Sequence, residues 1–298
     1  MALNFLGMQS APSFITYAVS FAALFIASFS DLKTREVPDW LNYGLIISGV
    51  ALNLLFSVIY SDKSFILNSI LGLAIFFGIA YIMFYAGQWG GGDSKILMGL
   101  GAMIGIDVSF RQFQFILGFF INILLIGAIY GIVWSIFLVL KNKKRFMREF
   151  TKSLSEKSIA KAKYLIIIAS ALLLVLFFAV KIYYIKIFVL SLIFLLLATY
   201  YLWSFVKAVE KSCMLKLVYP SKLTEGDWIV NDVYVNKEYI CGPKDLGIEK
   251  KQIKKLIEFY KKGKVKKILI KEGIPFVPSF LIAFIVTLIF GNLLMRLI

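Results

Sequence analysis

The 298-residue chain contains no histidine. That excludes Ser-His-Asp and Cys-His nucleophilic catalysis, and it excludes His-based zinc sites. Cysteine is almost as scarce: Cys213 and Cys241 form no CxxC spacing, so a dithiol redox motif and a Cys-cluster metal site are both out, and the two read as reduced cytoplasmic thiols. Acids are few as well, 17 Asp+Glu against 33 Lys+Arg, for a formal net charge of +16. No cofactor and no metal is expected, so any catalysis falls to carboxylates. Internal repeats and low-complexity tracts are also missing. The N-terminal stretch lacks the basic start of a secretory signal, since Lys33 is the first cation. It ends in a charged loop rather than a small-residue cleavage site, and reads as a retained helix.

What the chain has in abundance is apolar sequence. It is 60% hydrophobic with a mean hydropathy of +0.84, whereas a soluble domain is about 45–50% apolar. Eight apolar stretches occur, near residues 12–30, 40–60, 65–86, 94–105, 113–140, 164–180, 182–203 and 275–297; a helix needs about 20 residues to cross a bilayer. The fourth is short and rich in glycine (Gly99, Gly101, Gly105), which predicts incomplete spanning and close packing through small residues. With the N-terminus outside, 28 of the 33 cations fall on the cytoplasmic side, and only Lys63, Arg111, Lys181, Lys186 and Arg296 fall outside. The positive-inside rule therefore favours this orientation. It also accounts for the basic excess without nucleic acid, since no basic stretch carries base-stacking aromatics. Membrane lipids are the expected surroundings.

The expected architecture is an all-α polytopic membrane protein of about eight apolar helices, N-terminus outside, with a small α+β cytoplasmic insert. Residues 1–206 read as a membrane catalytic domain, 207–272 as the insert, and 273–298 as a C-terminal transmembrane helix. Within the insert, Asn231-Asp232 between two short apolar runs predicts a hairpin. Residues 248–261 predict a helix stopped by Gly263, and 265–270 a strand. Residues 141–163 predict a basic loop or amphipathic helix at the lipid headgroups.

Two acids stand out. Asp31 closes the first apolar stretch, and Asp93 follows the triplet Gly90-Gly91-Gly92. Under the expected topology both lie on the cytoplasmic side. A carboxylate at a membrane edge is expensive to keep and marks a functional site, and two that share a proton can activate water. The glycines suggest unusual backbone or close approach by a second chain, with room for an extended substrate. A simpler reading makes the triplet a flexible turn and Asp93 an N-cap, and likewise makes Asp39 an N-cap of the second helix.

The two motifs Asp31-Leu32-Lys33-Thr34-Arg35-Glu36-Val37-Pro38-Asp39-Trp40-Leu41-Asn42 and Gly90-Gly91-Gly92-Asp93-Ser94-Lys95 resemble those of membrane aspartic proteases with a GxGD motif. The nearest likeness is to prepilin peptidases and archaeal preflagellin peptidases. Lys271-Glu272-Gly273-Ile274-Pro275-Phe276-Val277-Pro278 is similar to the start of that family's last helix. Without CxxC pairs or a long first loop, the chain resembles the archaeal branch, and methyltransferase activity is not implied. The resemblance implies an aspartic endopeptidase, Asp31 and Asp93 as the catalytic pair, and hydrolysis by one ionised and one protonated carboxylate. The implied substrates are archaellin or type IV pilin-like precursors, with a short basic leader before a hydrophobic helix, cleaved on the cytoplasmic side. Gly90, Gly91, Gly92 and Pro38 would support the site. Lys95 and Arg35 would tune the acids or bind phospholipid, or simply snorkel. Glu36 and Asp39 would attract the basic leader. Three other readings compete: a presenilin-like intramembrane protease, a proton-coupled transporter, and an inactive scaffold subunit.

Overall fold

The computed structural model describes residues 11–107, 111–154 and 157–297. The expected outside N-terminus concerns residues before 11 and lies outside the described residues. Among the described residues, six helices are long and apolar enough to cross a membrane. They are α1 (Ala11–Thr34), α2 (Asp39–Ile59), α3 (Ser64–Tyr85), α5 (Arg111–Lys141), α7 (Lys157–Ala179) and α8 (Tyr183–Val209). The protein is a polytopic all-α membrane protein, as its hydropathy predicts.

The eight expected apolar helices are all present, and two of them are short. The fourth and eighth apolar stretches form α4 (Gly91–Ile104) and α10 (Val277–Phe290), each of 14 residues. At 1.5 Å per residue each is ~21 Å long, short of the ~30 Å hydrocarbon core. A helix that stops inside a membrane must have its last carbonyls satisfied by protein. For α4, Asn53 Nδ2 of α2 donates to Met103 O at 3.1 Å, and Ser69 Oγ of α3 donates to Ala102 O at 2.6 Å. The chain leaves α4 through Gly105 at φ +74°. At the end of α10, Asn122 Nδ2 of α5 donates to Thr287 Oγ1 (2.9 Å) and to Gly291 O (2.8 Å). The same side chain accepts from Leu293 N–H, which opens the final turn α11 (Leu293–Leu297).

The core forms where the short helices meet the long ones. Leu24 and Ala27 of α1, Phe76 of α3, Leu97 and Leu100 of α4, Phe119 of α5 and Phe280 and Phe284 of α10 form one buried cluster. Helices in lipid associate through close van der Waals packing and small residues. The contact between α3 and α4 is the tightest case: a Cβ on Gly101 would lie 2.5 Å from Gly72 O.

The basic stretch after α5 is an amphipathic helix, α6 (Lys143–Leu154). Part of its apolar side packs on protein: the Phe146 ring lies 5.6 Å from Phe205 on α8, within a cluster that includes Ala208 and Val209, while Met147 is exposed.

Between α8 and α10 the chain forms a three-stranded antiparallel sheet in the order β1-β5-β2, from β1 (Leu215–Val218), β5 (Ile268–Lys271) and β2 (Trp228–Ile229). A hairpin, β3 (Val233–Val235) with β4 (Glu238–Cys241), and the helix α9 (Lys250–Lys261) complete the insert. Ile229, Val235, Ile240, Leu256, Ile268 and Ile270 bury a separate apolar cluster there. The hairpin is not the expected one. Asn231-Asp232 connects strands of different sheets, and the tight turn is Asn236-Lys237, at φ +53° and +70°. A two-residue turn with both central residues left-handed matches the twist of the flanking strands.

Candidate functional site

The helix α1 ends because Arg35 turns left-handed at φ +60° and the Val37-Pro38 pair favours extended chain. Pro38 then occupies the N-cap of α2, and Asp39 is its first helical residue with no side-chain capping bond. Asp39 is therefore not the N-cap; its charge complements the first turn of the helix dipole. Asp31 lies one turn before the end of α1 and is 5% exposed. Its Oδ2 accepts the Val277 N–H at 2.9 Å, and the Phe276 amide also reaches it. Val277 is the first residue of α10, so the carboxylate sits at a helix N-terminus, where amide donors and the helix dipole favour an acid. Pro278 fits there because first-turn amides have no intrahelical partner to lose. Arg35 donates to Gly273 O in the same segment and pairs with Glu272 at 3.5 Å. Glu272 is also held by Lys216 of β1.

Asp93 is the third residue of α4, and Gly90 is the N-cap. The expected N-cap role is thereby reversed: Asp93 Oδ2 reaches back to accept the Gly90 N–H at 2.9 Å. Glycine has no side chain to complete a reciprocal capping box. None of the three glycines has a positive φ. Close approach is real at one of them: a Cβ on Gly92 would lie 3.2 Å from Val37 Cβ. The two motifs touch there, so Gly92 packs against this chain's own first loop. Asp93 is half-buried, and the charge of Asp31 reaches it. Both acids lie at the same end of the helix bundle.

The surrounding residues divide clearly. Lys95 Nζ pairs with Asp39 Oδ1 at 2.6 Å and lies 5.2 Å from the Tyr43 ring centroid, which ties the start of α4 to the start of α2. Glu36 is exposed; its carbonyl accepts Ser30 Oγ at 2.8 Å. The insert borders the same end. Trp228 of β2 lies 3.3 Å from where a Gly87 Cβ would stand, three residues before Gly90, and the charge of Lys250 on α9 is felt with those of Asp39 and Lys95. A cavity of about 240 Å³ lies between Trp89 and Phe276 on one side and Ile123, Leu124 and Gly127 of α5 on the other. Trp89 precedes Gly90, whose N–H holds Asp93, and Phe276 precedes Val277, whose N–H holds Asp31. Among the described residues no group of three or more His, Cys, Asp or Glu side chains could hold a metal ion. A carboxylate pair in partial burial is equipped for general acid–base work on a bound water.

Sequence reasoning placed Asp31 and Asp93 but missed what holds them. Glu272 and the Phe276 and Val277 amides lie in the 271–278 motif, which the resemblance marks as a helix start but not as what holds Asp31, and Trp228 lies in the insert.

Residues 18–132 match the model of the type IV leader peptidase family, a stretch that includes both acids. A preflagellin peptidase of Methanocaldococcus jannaschii is 40% identical over 90 residues, 30% of this chain and 38% of that protein. A preflagellin peptidase of Methanococcus voltae is 41% identical over 90 residues, again 30% and 38%. A prepilin peptidase of Methanothermobacter thermautotrophicus is 24% identical over 151 residues, 46% of this chain and 39% of that protein. The chain thus covers only 38–39% of the length of these relatives. No solved structure matches. The resemblance carried by the two motifs is borne out by the family match and by these relatives.

Proposed function

We propose that this chain is a membrane aspartic endopeptidase that removes the short basic leader from archaellin or type IV pilin-like precursors on the cytoplasmic side of the membrane. The observation that carries the reading is the stretch 18–132, which matches the leader peptidase family and holds Asp31 and Asp93 at one end of the bundle, where the charge of Asp31 reaches Asp93. The names of the relatives supply the substrate class, and the distribution of cations supplies the orientation.

In the proposed reaction the two carboxylates hold one water beside the scissile peptide. Each has its Oδ2 on a backbone amide, Val277 N–H for Asp31 and Gly90 N–H for Asp93, which leaves Oδ1 of each to work on water and peptide. The ionised carboxylate takes a proton from the water as its oxygen bonds to the peptide carbon. The protonated one gives its proton to the carbonyl oxygen. In the collapse the C–N bond breaks, the aspartate that took the water proton gives it to the leaving nitrogen, and a hydroxyl of the tetrahedral carbon returns a proton to the other aspartate as the C=O bond re-forms, so the pair again shares one proton. Lys95, Arg35, Pro38 and the glycines serve by fixing the two motifs against each other. Glu36 and Asp39 are the acids closest in sequence to Asp31 for meeting leader cations, and Asp39 does so in competition with Lys95.

The test is cleavage by the purified full chain in detergent or lipid, read by mass spectrometry on a panel of archaellin and pilin precursors. Cut products beginning at the hydrophobic helix are expected, with slower cleavage when leader lysines and arginines are changed to glutamate. Intact precursors throughout the panel would remove the assignment.

A further inference from the structure

One buried polar group beside the acids is used by nothing described so far. The Tyr130 hydroxyl on α5 is buried and, among the described residues, has no hydrogen-bond partner. Such groups are rare, because an unmet hydroxyl forfeits its bonds to water without replacement. Its placement follows from α5. Gly127, one turn earlier, sits so close to Phe276 that a Cβ would lie 2.5 Å from the ring, and the amides of Phe276 and Val277 hold Asp31. Residues three apart share a helix face, so Tyr130 continues the face that meets this segment. The charges of both Asp31 and Arg35 reach its hydroxyl. The ring is held by stacking on Trp134, centroids 5.8 Å apart at 28°. Other buried side-chain atoms among the described residues also lack a partner, Ser28 Oγ and Trp134 Nε1 among them; the Tyr130 hydroxyl is the one that joins a stacked, fixed ring to the charge of Asp31.

Resting on the leader peptidase reading, we propose that the Tyr130 hydroxyl donates a hydrogen bond to the scissile carbonyl oxygen as that oxygen gains negative charge. The donor moves no proton of its own. Water oxygen bonds to the carbonyl carbon, one aspartate takes the water proton, the other protonates the carbonyl oxygen, and Tyr130 stabilises that oxygen throughout. A donor aimed at developing charge in a water-poor site strengthens in the transition state more than in the ground state, so the benefit falls on kcat.

Tyr130→Phe removes the oxygen and keeps the ring on Trp134. In the full chain reconstituted in lipid, kcat for precursor cleavage should fall on the order of 100-fold, with KM within about twofold, because only transition-state binding is lost. The midpoint of thermal unfolding should stay level or rise, since the variant no longer buries an unmet hydroxyl. Unchanged kcat would overturn the proposal while leaving the peptidase reading standing. A kcat loss that comes with a lowered unfolding midpoint would also overturn it, because the hydroxyl would then be structural. A wild-type chain without cleavage would overturn both.

Discussion

Within the run Gly90-Gly91-Gly92 the three residues have different neighbours and so different tolerances. A Cβ on Gly91 would meet nothing nearer than the Phe84 ring at 3.9 Å, whereas one on Gly92 would press on Val37 at 3.2 Å. Gly91→Ala should therefore keep the thermal midpoint, or raise it slightly because alanine loses less entropy in a helix. Gly92→Val should lower the midpoint and the cleavage rate together, since it forces the Asp93 helix away from the Asp31 loop. Thermal unfolding and precursor cleavage of the two variants, side by side, check this. Equal behaviour would mean that the triplet acts only as a flexible linker. At this scale the sequence made the two acids legible, because a carboxylate at the end of an apolar run is conspicuous. The partners of those acids were not legible. The Asp31 bond to Val277 joins residues 246 apart, and no local pattern announces a backbone amide as a ligand. Asp39 looked like a cap and a leader contact; only the folded chain brings Lys95 to it.

Among the elements, the six spanning helices were legible from hydropathy, and the shortness of α4 from its glycines. The shortness of α10 was not, because the apolar run continues past Gly291 and the stop depends on Asn122, far away on α5. In the insert, β1 is hard to read from sequence because Leu215–Val218 is only four residues long and follows without a break on the helical residues 210–214 that continue α8. The hairpin turn was assigned to Asn231-Asp232 because Asn-Asp is a commoner turn pair than Asn236-Lys237. The α3–α4 contact gives a prediction at this level. A methyl on Gly101 would meet Gly72 O at 2.5 Å, and a backbone carbonyl cannot rotate away as a side chain can. Gly101→Ala should cost about 1–3 kcal/mol, the usual range for overpacking, measured as a lowered midpoint of unfolding in detergent. A midpoint equal to wild type would show that the two helices separate easily.

Taken as one molecule, the protein brings three stretches of sequence to a single end of a helix bundle. The first loop supplies Asp31 and Arg35, the glycine turn supplies Asp93, and the start of α10 supplies the amides that hold Asp31. The insert adds Glu272 and Trp228 at the same end, so residues far along the chain from the two motifs border them. This convergence lies beyond the reach of periodicity and composition, which report on neighbours in sequence. The family match, which stops at residue 132, covers both acids but not the segment that holds Asp31. Cleavage in this mechanism requires both carboxylates to work on one water. The most direct measurement is cleavage of a precursor by purified Asp31→Asn and Asp93→Asn chains, each shown by its thermal midpoint to be folded. Loss of at least about 10³-fold in kcat in each variant, of the order seen when a group of a working unit is removed, is the predicted result; near wild-type cleavage by either folded variant would contradict the paired-acid mechanism.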